Sequence, residues 1–158
     1  MRKIGIIAVL SLMVMALAAV PAMAAKSSDS GIHFINEPTC TYTTATLKNG
    51  ATTATITCTG GSVAGVGSEP VTVHYDAAGG CVTSGNGTAP PGHIQSTSQT
   101  VQPKGGRINL QNATLSVKCP AGLEAATIDP NSLVLVISSA TSPFQTLATL
   151  PVPVTTTT

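Results

Sequence analysis

Apolar and polar residues alternate in many segments beyond residue 31, and this two-residue period is typical of half-buried β-strands. The clearest segments are 39–47 and 51–59. Asn49-Gly50 lies between them, and an Asn-Gly pair between two alternating segments predicts a β-hairpin.

The hairpin loop sets the register of its two strands. We take Lys48-Asn49-Gly50 as a three-residue loop with Gly50 in the left-handed conformation. The predicted pairs, counted back from the loop, are Leu47 with Ala51, Tyr42 with Ile56 and Cys40 with Cys58.

Because successive residues of a strand point to opposite sides, this register predicts one apolar face and one hydroxyl face. The apolar face carries Cys40, Tyr42, Ala54, Ile56 and Cys58. The opposite face carries Thr41, Thr43, Thr53, Thr55 and Thr57. Regular Thr-x-Thr arrays resemble ice-binding surfaces, although an ordinary solvent-facing strand pair rich in β-branched residues has the same pattern.

The rest of the chain predicts more short strands, with turn residues at intervals typical of β-sandwiches. The segments are 71–75, 94–102, 107–119 with a bulge near Gln111-Asn112, 126–128, 133–138 and 144–150, with minor strands at 32–35 and 81–82. Residues 60–68 and 83–92 are predicted as loops, and 77–80 as a turn. About eight short strands and no convincing helix predict an all-β fold, an immunoglobulin-like or jelly-roll sandwich.

The first residues predict export. Arg2 and Lys3 precede an uncharged apolar run, and Ala22-Met23-Ala24 is a small-x-small cleavage site. Residues 1–24 are therefore predicted to be a signal peptide cut after Ala24, and the product to be secreted, periplasmic or at the cell surface. An uncleaved membrane anchor is the alternative, but Pro21 and the Ala-rich end disfavour it.

The product of this cleavage is predicted to be one domain without a membrane span, because no second apolar stretch of spanning length follows. Residues 25–31 are predicted as a flexible start, 32–154 as the sandwich and 155–158 as a disordered tail.

Four cysteines, an even number in an exported chain, predict two disulfides. The hairpin register proposes Cys40–Cys58, which leaves Cys81–Cys119 as the second pair.

Three segments carry a resemblance, which covers Gly60 to about Leu150: "GGSVAGVGSEPVTVHY", "CVTSGNGTAPPG" and "KCPAG". Together they resemble a group of small, uncharacterised secreted bacterial β-sandwich proteins, which have a Gly-rich SVAGxG segment, a Cys before a Gly/Asn/Pro loop and a later Cys-Pro. Cys81 and Cys119 match that pattern, whereas Cys40 and Cys58 are additional. The group usually has a Trp soon after Cys-Pro, and this chain has Leu123 nearby. The resemblance implies a secreted sandwich with a Cys81–Cys119 bridge, and it implies no activity.

The charges disfavour nucleic acid as a partner. Beyond residue 24, five basic side chains accompany six acidic ones, so no basic patch is available to neutralise phosphates.

The sequence also predicts no enzyme and no cofactor. It lacks Gly-x-Ser-x-Gly, no free Cys is expected, and its acids are scattered. His33, His74 and His93 are far apart, which predicts no metal site. Only Phe34, Tyr75 and Phe144 remain as aromatic candidates for stacking on a sugar.

Two sequons, at Asn86 and Asn112, match the N-glycosylation pattern, and we interpret both as turn residues in a Thr-rich chain.

We therefore expect an exported, non-catalytic surface, matrix or adhesive module that contacts a surface, another cell-surface protein or its own copies. Two alternatives stay open. One is a filament subunit in which Ile32-His33-Phe34-Ile35 adds to a neighbour's sheet edge. The other is a secreted hydrolase or carbohydrate-binding accessory whose site the sequence does not reveal.

Overall fold

The computed structural model describes residues 31–83, 92–121, 124–141 and 145–157. The predicted signal peptide, the sequon at Asn86 and Phe144 lie outside the described residues.

The described residues form an all-β fold, which confirms the predicted class. They contain thirteen strands and one 3-10 turn at Pro130–Ser132. The strands are β1 (His33–Asn36), β2 (Thr39–Thr46), β3 (Thr52–Thr59), β4 (Ser62–Ala64), β5 (Val71–Thr83), β6 (Gly92–Gln95), β7 (Gln99–Val101), β8 (Arg107–Asn109), β9 (Ala113–Cys119), β10 (Glu124–Ile128), β11 (Val134–Ser139), β12 (Thr146–Pro151) and β13 (Val154–Thr156).

The strands form three sheets. The four-stranded sheet has the order β13-β2-β3-β9, and the three-stranded sheet has the order β1-β4-β8. The six-stranded sheet follows the order β10-β5-β11-β12, and β6 and β7 also pair with β5. The core lies where β3 and β9 pack on β5 and β10, so the two larger sheets make a sandwich. Its largest fully buried side chains include Ile56, Leu115, Ile128, Leu135 and Ile137.

The β2–β3 hairpin has the predicted register. Cys40 pairs with Cys58 and Tyr42 with Ile56. Gly50 has a φ of 80°, the left-handed conformation that the three-residue loop requires. Local turn chemistry was therefore sufficient to align this strand pair.

The predicted turn at 77–80 is wrong, because β5 runs straight through these residues and includes Cys81 and Val82. Gly79 pairs with Gly92 of β6 on one side and with Ile128 of β10 on the other. Pairing along both edges of the strand outweighs the low strand propensity of Ala-Ala-Gly-Gly.

The predicted bulge near Gln111-Asn112 is also wrong. β8 belongs to the three-stranded sheet and β9 to the four-stranded sheet, so the change of phase marks a crossing between sheets. The Leu110 N–H donates to the Gly61 carbonyl at 3.0 Å beside this crossing.

Two other predicted segments are divided differently. The predicted 60–68 loop contains β4, and the predicted 94–102 strand is β6 and β7 with buried Ser96 between them. The Ser96 N–H donates to the Tyr75 carbonyl, and the Ser96 hydroxyl accepts the Tyr75 N–H, both at 2.9 Å.

The chain beyond residue 154 continues as a strand where the sequence predicted a disordered tail. β13 pairs in parallel with β2, with Thr155 opposite Thr41. The Thr157 N–H extends this ladder by donating to the Tyr42 carbonyl at 3.1 Å.

No helix within the described ranges is both long enough and apolar enough to cross a membrane.

Candidate functional site

The structure places the five predicted threonines on one side of the β2–β3 hairpin and extends their array onto both neighbouring strands. Cross-strand partners point to the same side of a sheet, so the registers define rows. Three of the rows reach β9: Thr155-Thr41-Thr57-Thr114, then Thr43-Thr55-Ser116, then Ala45-Thr53-Lys118. We call the eight hydroxyl residues of these rows the hydroxyl face: Thr41, Thr43, Thr53, Thr55, Thr57, Thr114, Ser116 and Thr155.

Strand geometry gives this face a regular spacing. Neighbouring strands lie about 4.8 Å apart, and alternate residues of one strand lie about 6.7 Å apart. The usual twist between adjacent strands, about 20–25°, makes the face gently curved. The result is a shallow grid of hydroxyl and methyl groups.

Much of the other side of the same strands is deeply buried. Cys40, Ala54, Ile56 and Cys58 are all at most 2% exposed. The Cys40–Cys58 disulfide joins β2 to β3 beneath the grid, with Cα atoms 4.0 Å apart. Because its backing is packed and cross-linked, the hydroxyl face is held in place from below.

Hydrogen bonds within the hydroxyl face are few and long. Thr55 and Ser116 share a bond of 3.4 Å between their hydroxyl oxygens, and Thr53 donates to the Ala45 carbonyl at 3.4 Å. A hydroxyl has one donor and two acceptor positions, so each of these groups retains bonding capacity for solvent or a partner.

The face is nearly uncharged. Within its three rows Lys118 is the single charged residue, and it occupies the end of the last row. The rows contain no aromatic residue. A contact surface of this composition suits a partner that is itself uncharged and forms hydrogen bonds.

Sequence reasoning missed three members of the face: Thr114, Ser116 and Thr155. The alternation of β9 was visible, but nothing local indicated that β9 would pair with β3. Thr155 was missed because it was assigned to the tail.

Both predicted disulfides are present. Cys40–Cys58 joins neighbouring strands of one sheet, whereas Cys81–Cys119 joins β5 to β9 and so connects the two larger sheets. The part of the chain described by the structure contains no free cysteine.

A second polar cluster lies on the six-stranded sheet. Asp76 accepts the Gln95 amide at 2.9 Å and lies 3.0 Å from the Nδ1 atom of His93. The His93 side chain is 78% exposed. Across the described ranges, no three His, Cys, Asp or Glu side chains converge on a point that would hold a metal ion.

The structure excludes Tyr75 as a candidate for sugar stacking. Tyr75 is only 3% exposed, because it faces the core, and its ring has no surface to offer a ligand. Phe34 is half-buried against the same core. Asn112 of the second sequon is exposed between β8 and β9.

Comparisons of this chain with protein-family models, with curated proteins and with solved structures found no match.

Proposed function

We propose that this chain is an exported, non-catalytic module that binds an uncharged, hydrogen-bonding surface through its hydroxyl face. The observation that carries the proposal is the alignment of eight hydroxyl side chains, in register, across four strands. We expect the module to act at a surface, in a matrix or as an adhesive by presenting this face.

The side chains of the face favour an extended surface over a globular protein as the partner. Protein interfaces concentrate their binding energy in Trp, Tyr and Arg residues that fill pockets, and the rows contain none of these. Threonine side chains are too short to fill a pocket, but several of them on one face can contact a flat surface at the same time.

The rigidity of the face also supports the proposal. Threonine is stiff at χ1, and its short side chain loses little rotamer entropy when it is immobilised. The buried backing and the Cys40–Cys58 bridge fix the relative positions of the rows. Many weak contacts can then contribute to the binding free energy, because little side-chain entropy is lost on binding.

Export is supported by two observations. Two disulfides fit an oxidising compartment. The residues before Ala25 have the pattern of a signal peptide. Mass spectrometry of the product from an exporting host tests this, because cleavage after Ala24 gives a chain that begins at Ala25, and a full-length chain contradicts it.

The binding proposal is tested by placing a long charged side chain in the longest row of the face. Thr57 lies between Thr41 and Thr114, so Thr57→Lys would hold a flat partner away from the whole row. Thr100→Lys is the matched control, since Thr100 is an exposed strand residue of β7 on the six-stranded sheet.

The measurement is adsorption of purified protein to microcrystalline cellulose, chitin and ice, with anionic and cationic resins for comparison. We expect the wild type and Thr57→Lys to differ at least about tenfold on one of the uncharged solids, because a 1.4 kcal/mol loss changes binding tenfold. Thr100→Lys should adsorb like the wild type. Adsorption of the wild type to none of the three solids, or equal adsorption of both variants, would contradict the proposal.

A second candidate, self-association by strand exchange, is supported by the weak attachment of β1. Among the described strands β1 pairs only with β4, and its register shifts between Phe34 and Asn36. Ile35 is 44% exposed, which is unusual for a large apolar side chain in this protein. Released from β4, this edge strand would pair with the sheet of another copy.

Electron microscopy and light scattering of the concentrated protein test this second candidate. Filaments or strand-exchanged oligomers should form in the wild type and be lost in a variant that lacks residues 31–36. A wild type that stays monomeric at all concentrations would exclude it.

A further inference from the structure

Tyr75 has an unpartnered buried hydroxyl and lines a cavity. Within the described part of the chain, the Tyr75 hydroxyl is buried without a hydrogen-bond partner. The cavity lies between β5 and the chain segments at 96–99 and 110–113. Buried polar groups are nearly always hydrogen-bonded, so we expect this hydroxyl to have a partner in the cavity.

The burial of Tyr75 makes its unpartnered hydroxyl costly. The residue is 3% exposed, so bulk water does not replace the missing partner. Burial raises the pKa of Tyr75 to about 12, so the hydroxyl is protonated and can donate at neutral pH. Its backbone is already satisfied through Ser96, which leaves the ring hydroxyl as the group that needs a partner.

The size of the cavity identifies what it can hold. The space open to the centre of a water molecule is about 10 Å³. That is close to the minimum for one water molecule, and it is too small for an organic ligand.

The lining supplies the polar groups that a buried water molecule requires. Ser96, Thr97, Gln99 and Gln111 line the cavity together with Tyr75, and Leu110 and Leu135 close its apolar side. An internal water usually makes two to four hydrogen bonds, which this lining can provide.

We propose that this cavity is an internal water site, in which one water molecule hydrogen-bonds the Tyr75 hydroxyl and bridges it to polar groups of segments 96–99 and 110–113. The site lies where the chain crosses from the three-stranded sheet to the four-stranded sheet. The bound water therefore connects β5 to this crossing and is part of the structure that holds the sheets together.

Tyr75→Phe is the test, with Tyr42→Phe as its control. These are the only two tyrosines of the chain, and Tyr42 is half-buried on the four-stranded sheet, away from the cavity lining. Both variants remove one hydroxyl and keep the ring. Their comparison therefore distinguishes the loss of the hydroxyl in the cavity from the general effect of a Tyr→Phe substitution.

The measurements are a high-resolution crystal structure of the wild type and the melting temperatures of the three proteins. We expect an ordered water about 2.5–3.0 Å from the Tyr75 hydroxyl oxygen. We also expect Tyr75→Phe to melt about 2–5 °C lower, since it leaves the water under-bonded, and Tyr42→Phe to change less.

Two results would each overturn the proposal. One is a cavity without density, or a Tyr75 hydroxyl bonded directly to a protein group. The other is a higher melting temperature for Tyr75→Phe, because removing an unsatisfied hydroxyl from a dry cavity stabilises a protein.

Discussion

Cys81 of β5 and Cys119 at the end of β9 are bonded across the two larger sheets, with Cα atoms 5.7 Å apart. The other bridge, Cys40–Cys58, joins strands that also share a ladder of eight residue pairs. After Cys40–Cys58 is broken, this ladder still joins β2 to β3, whereas β5 and β9 belong to different sheets and share no ladder.

Removal of the Cys81–Cys119 bridge should destabilise the protein more than removal of Cys40–Cys58. The sequence separations are 38 and 18 residues, and the chain-entropy model converts this difference to about 0.7 kcal/mol. The hairpin also keeps its ladder of hydrogen bonds, whereas beside the other bridge the two sheets share a bond from the Ala126 N–H to the Thr52 hydroxyl, at 2.8 Å. Thermal unfolding of the two Cys→Ala double mutants checks this, and equal or reversed losses would mean that the hairpin organises the domain.

Gly65→Ala should be strongly destabilising. Gly65 has a φ of 81°, and a Cβ there would collide with the Gly31 carbonyl group, whose carbon would lie 2.8 Å away. Gly67→Ala is the control, since Gly67 has a similar φ of 75° and open space around the added methyl. We expect a loss of about 1 kcal/mol for Gly67→Ala and about 2–4 kcal/mol for Gly65→Ala in urea unfolding. Similar losses would show that the Gly31 backbone moves aside freely.

The stability of the protein should fall at alkaline pH because of Tyr75. Burial raises the pKa of Tyr75 from 10.0 to about 12 in the folded protein. Between these values the unfolded chain has released the proton and the folded protein has kept it, so stability decreases as pH rises. The loss is absent below about pH 10 and approaches about 2–3 kcal/mol near pH 12.

Urea unfolding at pH 8, 10 and 11 measures this effect. Tyr75→Phe lacks the ionisable group, so its stability should fall less steeply than that of the wild type above pH 10. Parallel curves for the two proteins would contradict the alkaline prediction.

Removal of residues 154–158 should both destabilise the domain and make it associate. β13 covers one edge of β2, and Val154 packs against the core. The loss of three backbone pairs and this packing should cost about 1–3 kcal/mol. An uncovered strand edge also promotes pairing between chains.

Light scattering across a concentration series detects the association. Val154→Ala serves as the control, because it reduces the packing and keeps the strand. A truncated chain that remains monomeric and melts like the wild type would show that β13 contributes nothing to either property.

The sequence predicted those parts of the fold that depend on residues close together in the chain. Asn49-Gly50 fixed the hairpin loop, and its register placed Cys40 opposite Cys58 and the five threonines on one face. No distant residue is needed for that inference.

The parts that it missed depend on contacts between distant segments. Residues 77–80 have the composition of a turn, yet β6 and β10 pair with Gly79 from both sides and keep the strand extended. The width of the hydroxyl face could not be predicted for the same reason, because pairing of β9 with β3 and of β13 with β2 has no local signal.

The position of β13 bears on how this protein should be handled in the laboratory. Thr155 stands in the same row as Thr41 and Thr57, so whatever is fused beyond the last strand emerges at the margin of the hydroxyl face. A C-terminal affinity tag or fluorescent reporter would crowd the surface whose adsorption is to be measured. Binding experiments on this face therefore require a chain whose C-terminus carries no fusion.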